Sequence, residues 1–130
     1  MIHLLLNTPP DAAVGNCTND ELLAMAATGV PLIDIRRSWE WEETGVIAGS
    51  HLITFFDDRN RYDLDAWLAA FDQVAPRTGP FILVCRRGIR TFKLGRYLDG
   101  RTDFRQVHHL HHGISGWTTA DRAVVHPDVE

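Results

Sequence analysis

A chain of 130 residues has room for one domain and for a core that needs no disulfide staples. With 45% apolar and 23% charged residues it is neither disordered nor fibrous in composition. Its 13 basic and 17 acidic residues give a formal charge of −4, which offers no global attraction to nucleic acid or to an anionic membrane surface. Residues 1–16 read as a loose lead-in. The apolar run Ile2 to Leu6 is preceded by no Lys or Arg and ended by Asn7-Thr8-Pro9-Pro10-Asp11, too short for a signal-peptide core or a membrane span. A cytoplasmic protein is the expectation, and in that compartment the only two cysteines, Cys17 and Cys85, are free thiols. Thr18 and Glu21 have the spacing of a capping box, so a helix follows, stopped at Gly29-Val30-Pro31. Leu32-Ile33-Asp34-Ile35 has the look of a short strand buried on both faces.

Residues 38–44 read as a short polar helix carrying Trp39 and Trp41 in partly exposed positions, where a partner surface is one reading. His51-Leu52-Ile53 is a second short strand. From Asp63 to Val74 the residues Leu64, Trp67, Leu68, Phe71 and Val74 recur at helical spacing, so this is an amphipathic helix. Phe81-Ile82-Leu83-Val84 is the clearest strand. After a loop at 85–89, a helix runs from about Arg90 to Leu98 and closes at Asp99-Gly100. Residues 106–110 make a last strand, Gly113 to Trp117 turns into a final short helix whose Trp117 covers a sheet edge, and 121–130 is a loosely held tail. Strands alternating with helices pair in parallel through right-handed crossovers, which makes the class α/β with one domain over residues 17–120.

In an open α/β sheet, ligands bind beyond the carboxyl ends of the strands. The best strand runs straight into Cys85-Arg86-Arg87-Gly88-Ile89-Arg90-Thr91, which puts a cysteine between a strand end and a helix start. Unpaired N–H groups of the loop form an anion cradle there, the helix dipole adds about half a positive charge, and three arginines add more. Each effect stabilises a thiolate over a thiol and also holds an anionic substrate. A cysteine that merely fills the core explains neither the arginines nor the glycine, so Cys85 is the candidate nucleophile. Cys17 has no basic neighbour and reads as core.

Three separated stretches carry a family resemblance. Leu32-Ile33-Asp34-Ile35-Arg36, followed by Glu40-Trp41 and by Gly45, Ile47 and Gly49, resembles the Asp-x-Arg strand segment of the single-domain rhodaneses, the thiosulfate sulfurtransferase family. Cys85 to Thr91 resembles their Cys-Arg-x-Gly-x-Arg-Ser/Thr loop, and Gly113-Ile114-Ser115-Gly116-Trp117 their closing Gly-Ile-x-x-Trp segment. The resemblance implies a three-layer fold, a five-stranded parallel sheet flanked by helices, with the loop at its carboxyl edge. It implies no cofactor and no resident metal. It also implies a sulfurtransferase in which Cys85 takes a sulfane sulfur from a small anionic donor such as thiosulfate. The resulting persulfide passes the sulfur to an acceptor thiol, cyanide or a protein. Backbone N–H groups from Arg86 to Arg90, Gly88 and Ile89 included, would line the cradle, and Arg86 or Arg87 would orient the donor. Arg90 either points into the ring or locks the loop to an acid. Asp34 and Arg36 read as structural support, a charge pair near the strand end.

Phosphatases and arsenate reductases on the same fold place five residues between Cys and Arg; here four, Arg86 to Ile89, stand between Cys85 and Arg90, a smaller ring suited to one sulfur. A non-catalytic sulfur-carrier or partner-binding module is the other alternative. The chain departs from the family with Val46 where His is usual, with His112 in place of the first glycine of the closing motif, and with Ile89 where a polar residue is common. His112 would lie beside the active loop and make activity pH-sensitive. In His108-His109-Leu110-His111-His112, strand alternation pairs His109 with His111, but no Cys or acidic residue adjoins them to complete a metal site. The expectation is that Val107 and Leu110 face the core while the histidines line the sheet end or face solvent.

Overall fold

The computed structural model describes residues 12–101 and 103–127. Strands and helices alternate through them: β1 (Gly15–Cys17), α1 (Asn19–Ala27), β2 (Leu32–Asp34), α2 (Ser38–Thr44), β3 (His51–Leu52), α3 (Leu64–Asp72), β4 (Pro80–Val84), α4 (Ile89–Asp99), β5 (Gln106–Leu110) and α5 (Gly113–Thr119). The five strands form one sheet in the order β1-β5-β4-β2-β3, with every pairing parallel. The expected α/β class and five-stranded parallel sheet are present. The expected apolar run at 2–6 and the rest of residues 1–11, together with 128–130 of the expected tail, lie outside the described residues.

Local signals account for most boundaries. Thr18 Oγ1 accepts from the Glu21 N–H and Glu21 Oε1 accepts from the Thr18 N–H, the reciprocal pair of a capping box, worth about 1 kcal/mol to α1. Asp63 caps α3 through the Ala66 N–H. Short apolar strands with both faces covered follow from parallel pairing, since each crossover lays a helix on the sheet.

Two apolar layers result. On one face Ile33, Phe81, Leu83 and Val107 pack with Trp67, Leu68 and Phe71 of α3 and with Leu94 and Leu98 of α4. On the other, Leu32, Ile82, Val84 and Leu110 pack with Leu22 of α1 and with Ile114 and Trp117 of α5. Trp117 is therefore inside a core layer rather than a cover over a sheet edge, its indole N–H donated to the Ala123 carbonyl. Cys85 falls on the α3/α4 side and Cys17 on the α1/α5 side, both free and both buried.

Three further departures from the sequence reading have physical causes. The lead-in contains β1, a strand that Gly15 and Asn16 do not announce by propensity and that β5 holds in register, Gly15 beside His108 and Cys17 beside Leu110. Val107 and Leu110 are both buried but on opposite faces, because three positions separate them in a strand of period two. His109 therefore shares the face of Val107 and lines the carboxyl end of the sheet, buried at 2% exposure, while His111 and His112 beyond it are exposed. Finally, the tail is pinned: Val125 pairs antiparallel with Val46, and Arg122 reaches Asp20. Among the described residues, no helix is long and apolar enough to cross a membrane.

Candidate active site

Cys85 is the first residue beyond β4, and its side chain turns under the loop that leads into α4. The loop is held from behind. The Ile114 and Ser115 N–H groups of α5 donate to the carbonyl oxygens of Cys85 and Arg86 at 2.9 Å, so the closing segment takes the loop carbonyls outward. With the carbonyls engaged, the Gly88 N–H is free to point inward, and it donates to Cys85 Sγ at 3.2 Å. Gly88 adopts φ 88°, and a Cβ there would run into the His111 carbonyl oxygen. Glycine is the residue that combines this left-handed turn with so close an approach.

The three arginines have separate surroundings. Arg86 and Arg87 are exposed at the loop surface. Arg90 gives two parallel bonds to Glu40 of α2, Nη1 to Oε1 at 2.9 Å and Nη2 to Oε2 at 2.8 Å, and its charge still reaches Cys85. Of the two placements open to Arg90 on sequence, the geometry is that of a loop locked to an acid. Burial pushes the Glu40 carboxyl up, but the Arg90 hydrogen bond, the Arg37 N–H and the Arg90 and Arg36 charges outweigh it and hold Glu40 below its usual range.

Asp34 and Arg36 form a buried pair at 2.8 Å close to that clamp. Arg36 spends its other donors on Thr44 Oγ1 and the Gly45 carbonyl, and Trp41 Nε1 donates to Asp34. These bonds tie the end of β2 to the middle and the C-terminal end of α2 and so fix where Glu40 stands. Trp39, half-exposed, donates to Asp58.

Above the loop, Ile89 is 62% exposed and borders two hollows. One, about 320 Å³, has Arg87, Gly88, Phe92, Lys93, His109 and His111 in its wall. The other brings His112 together with Arg87 and Ser115. His112 thus stands beside the loop, at the start of α5. Asp34 and Arg36 belong to the support of the loop rather than to this open side. Among the described residues, no group of three or more His, Cys, Asp or Glu side chains is placed to hold a metal ion.

Three residues left without a role by the sequence reading form a chain that leads away from the sulfur. Thr91 Oγ1 lies 3.4 Å from Cys85 Sγ and 2.7 Å from His109 Nδ1, and His109 Nε2 lies 2.8 Å from Asn16 Oδ1. Thr91 stands in the quoted loop motif, and helical geometry from Gly88 carries it under the cysteine. His109 and Asn16 left no comparable trace, since their meeting depends on the β1–β5 register.

Comparison with known proteins is decisive at this point, because the Rhodanese-like domain model matches residues 18–120. The chain belongs to the rhodanese-like domain family. Solved structures agree on the fold. The polysulfide-sulfur transferase homodimer of Wolinella succinogenes superposes with a TM-score of 0.67 at 16% identity, over 86% of this chain and 78% of that one. A thiosulfate sulfurtransferase of Pseudomonas aeruginosa gives 0.66 at 22% identity, over 90% of this chain but only 21% of that one. A Rhodopseudomonas palustris protein of unknown function, described as a possible tyrosine phosphatase, gives 0.64 at 20% identity over 96% and 94%. At these identities such neighbours establish the rhodanese-like fold and leave the chemistry to the site. No curated protein matches the chain.

Proposed function

We propose that this rhodanese-like protein is a sulfurtransferase that carries sulfane sulfur as a Cys85 persulfide, from thiosulfate or a persulfide donor to a thiol, cyanide or protein acceptor. The carrying observation is the content of the loop. Cys85 Sγ receives a backbone N–H from Gly88 while Arg90, four residues on from the intervening loop's start, is committed to Glu40. A cradle of this kind offers the Gly88 N–H to one sulfur and engages both terminal nitrogens of Arg90 with a carboxylate, so that they are not free to bind a substrate oxyanion. A phosphoryl group would need that guanidinium for its oxygens.

The chemistry is two displacements. The Cys85 thiolate attacks the outer sulfur of the donor, a new S–S bond forms, the donor's S–S bond breaks, and sulfite leaves with the electron pair. An acceptor nucleophile then takes the outer sulfur and returns the thiolate. Exposed Arg86 and Arg87 draw anionic donors to the loop, and the Gly88 N–H bonds to the sulfur in each anionic state. The cytoplasm suits this chemistry, since both thiols are free and buried on opposite faces of the sheet.

Intact mass after incubation of the reduced protein with thiosulfate tests the reading. The expected result is gain of one sulfur atom, absent in Cys85→Ala and discharged by cyanide. No gain, together with Cys85-dependent hydrolysis of a phosphate ester or reduction of arsenate, overturns it. Loading without turnover to small acceptors would make the protein a sulfur carrier instead.

A further inference from the structure

The displacements above leave one cluster unused, the chain from Cys85 through Thr91 and His109 to Asn16. Thr91 and His109 are buried, at 0% and 2% exposure, whereas Asn16 is at the surface of β1. With the amide oxygen of Asn16 facing His109 Nε2, the neutral ring has one consistent set of roles. An amide oxygen only accepts, so His109 Nε2 carries the hydrogen given to Asn16 Oδ1. The neutral ring then has its lone pair on Nδ1, and the Thr91 hydroxyl donates to it. Thr91 therefore presents a lone pair to the sulfur, and the Cys85 thiol donates.

We propose that Thr91 and His109 take up the proton of the Cys85 thiol, with Asn16 as the positioning residue that fixes the imidazole. The S–H bond breaks and its proton passes to Thr91 Oγ1 as the proton of Thr91 passes to His109 Nδ1. Two protons each shift by one place, the net transfer is one proton from sulfur to imidazole, and nothing is oxidised or reduced. The products are a thiolate and an imidazolium, in which Nδ1–H donates to Thr91, Thr91 donates to sulfur, and Nε2–H still donates to Asn16. The same three contacts serve both states, the two at Thr91 Oγ1 reversed in direction and the one to Asn16 unchanged, so no heavy atom has to move. The inference rests on Cys85 being the nucleophile, and it adds a counter-charge linked to the sulfur through Thr91, beside the Gly88 N–H.

The surroundings fit a proton held only while the sulfur is anionic. Burial, and then the nearby His111, push His109 down to about 4, so a cationic ring is unfavourable without an anion beside it. The groups around the ring are Thr91 and Phe92 of α4, Cys85 beyond β4, Asn16 of β1 and His111 beyond β5, with Arg87 and Lys93 in the wall of the same hollow.

The test is the rate of Cys85 alkylation by iodoacetamide against pH in the full chain, read at that residue by peptide mass. Thr91→Val and His109→Gln are expected to slow the reaction at pH 7 roughly tenfold and move its midpoint up by about one unit, with Thr91→Ser restoring it. Asn16→Asp, a surface change, sets a carboxylate against Nε2–H, favours the imidazolium, and is expected to speed the reaction at pH 6. A merely structural role for the chain would not give that opposite sign. Coincident profiles for Thr91→Val and Thr91→Ser, with no shift in Asn16→Asp, overturn the proposal. Alkylation needs no sulfur donor, so shifted profiles in a protein that takes no sulfur from thiosulfate would retain the proton chain and remove the sulfurtransferase reading. Unshifted profiles in variants that load sulfur normally would do the reverse.

Discussion

Gly88 bears two constraints at once, a backbone at φ 88° and a carbonyl oxygen, that of His111, where a Cβ would stand. Gly49 separates them, because it has φ 86° with nothing within 4 Å of its Cβ position. Gly49→Ala therefore carries only the strain of a left-handed residue, about 1 kcal/mol. Gly88→Ala adds the collision and must move the loop, so its loss of stability is expected to exceed that of Gly49→Ala by about 1–3 kcal/mol. Urea denaturation of the pair checks this, and equal losses would mean that the loop yields freely. Sulfur loading should fail in Gly88→Ala alone, since the donor N–H to Cys85 moves with the loop. At this scale the contiguous residues were legible: Cys85, Gly88 and the arginines occupy one stretch, and the physics of a strand end meeting a helix start acts within it. The fate of Arg90 was not legible, because its partner Glu40 lies fifty positions away. Nor was His109, whose strand is covered on both faces, so that alternation alone could not say which face meets a thiol.

At the scale of elements, α2 reaches the active loop through one carboxylate, that of Glu40, and is itself anchored to β2 by Arg36. Glu40→Gln keeps the shape and removes the charge, which leaves Arg90 with neutral partners. Because Arg90 is one-fifth exposed, the cost at pH 7 is about 1–2 kcal/mol rather than that of a wholly buried pair. The pH dependence has a definite sign. The folded carboxyl titrates below the ordinary glutamate value of 4.5, so its contribution is complete above that value and is lost as pH falls through the folded one. The stability difference between wild type and Glu40→Gln should therefore shrink toward zero on acidification below pH 4.5, measured by urea midpoints across pH 3–7. A difference that stays constant would show that Glu40 acts through shape alone. Helices with caps and apolar spacing, and strands with unbroken apolar runs, could be placed from sequence because their signals are local. The strand β1 could not, since its three residues owe their conformation to β5.

For the whole molecule, the sheet divides the core into two layers, and the nucleophile sits in only one of them. The tail belongs to the other layer. Its Ala123 carbonyl accepts the Trp117 indole N–H at 2.9 Å, Val124 packs against that layer, and Val125 exchanges two backbone bonds with Val46 at 2.7 and 2.8 Å. The Arg122–Asp20 pair adds little, because Asp20 is largely exposed. Removing residues 122–130 leaves a buried indole N–H without an acceptor, about 1–3 kcal/mol, and uncovers apolar surface at Val46 and Ile47. The expected fall in Tm is about 5–10 °C. Sulfur loading at room temperature should persist, because the bonds that hold the Cys85 loop come from Ile114 and Ser115 in the first turn of α5, upstream of the cut. A truncated protein with unchanged Tm would contradict the pinned tail. One that stays folded yet fails to load would mean that the two layers are coupled through α5, and that the tail sets the position of the loop as well as the stability of the fold.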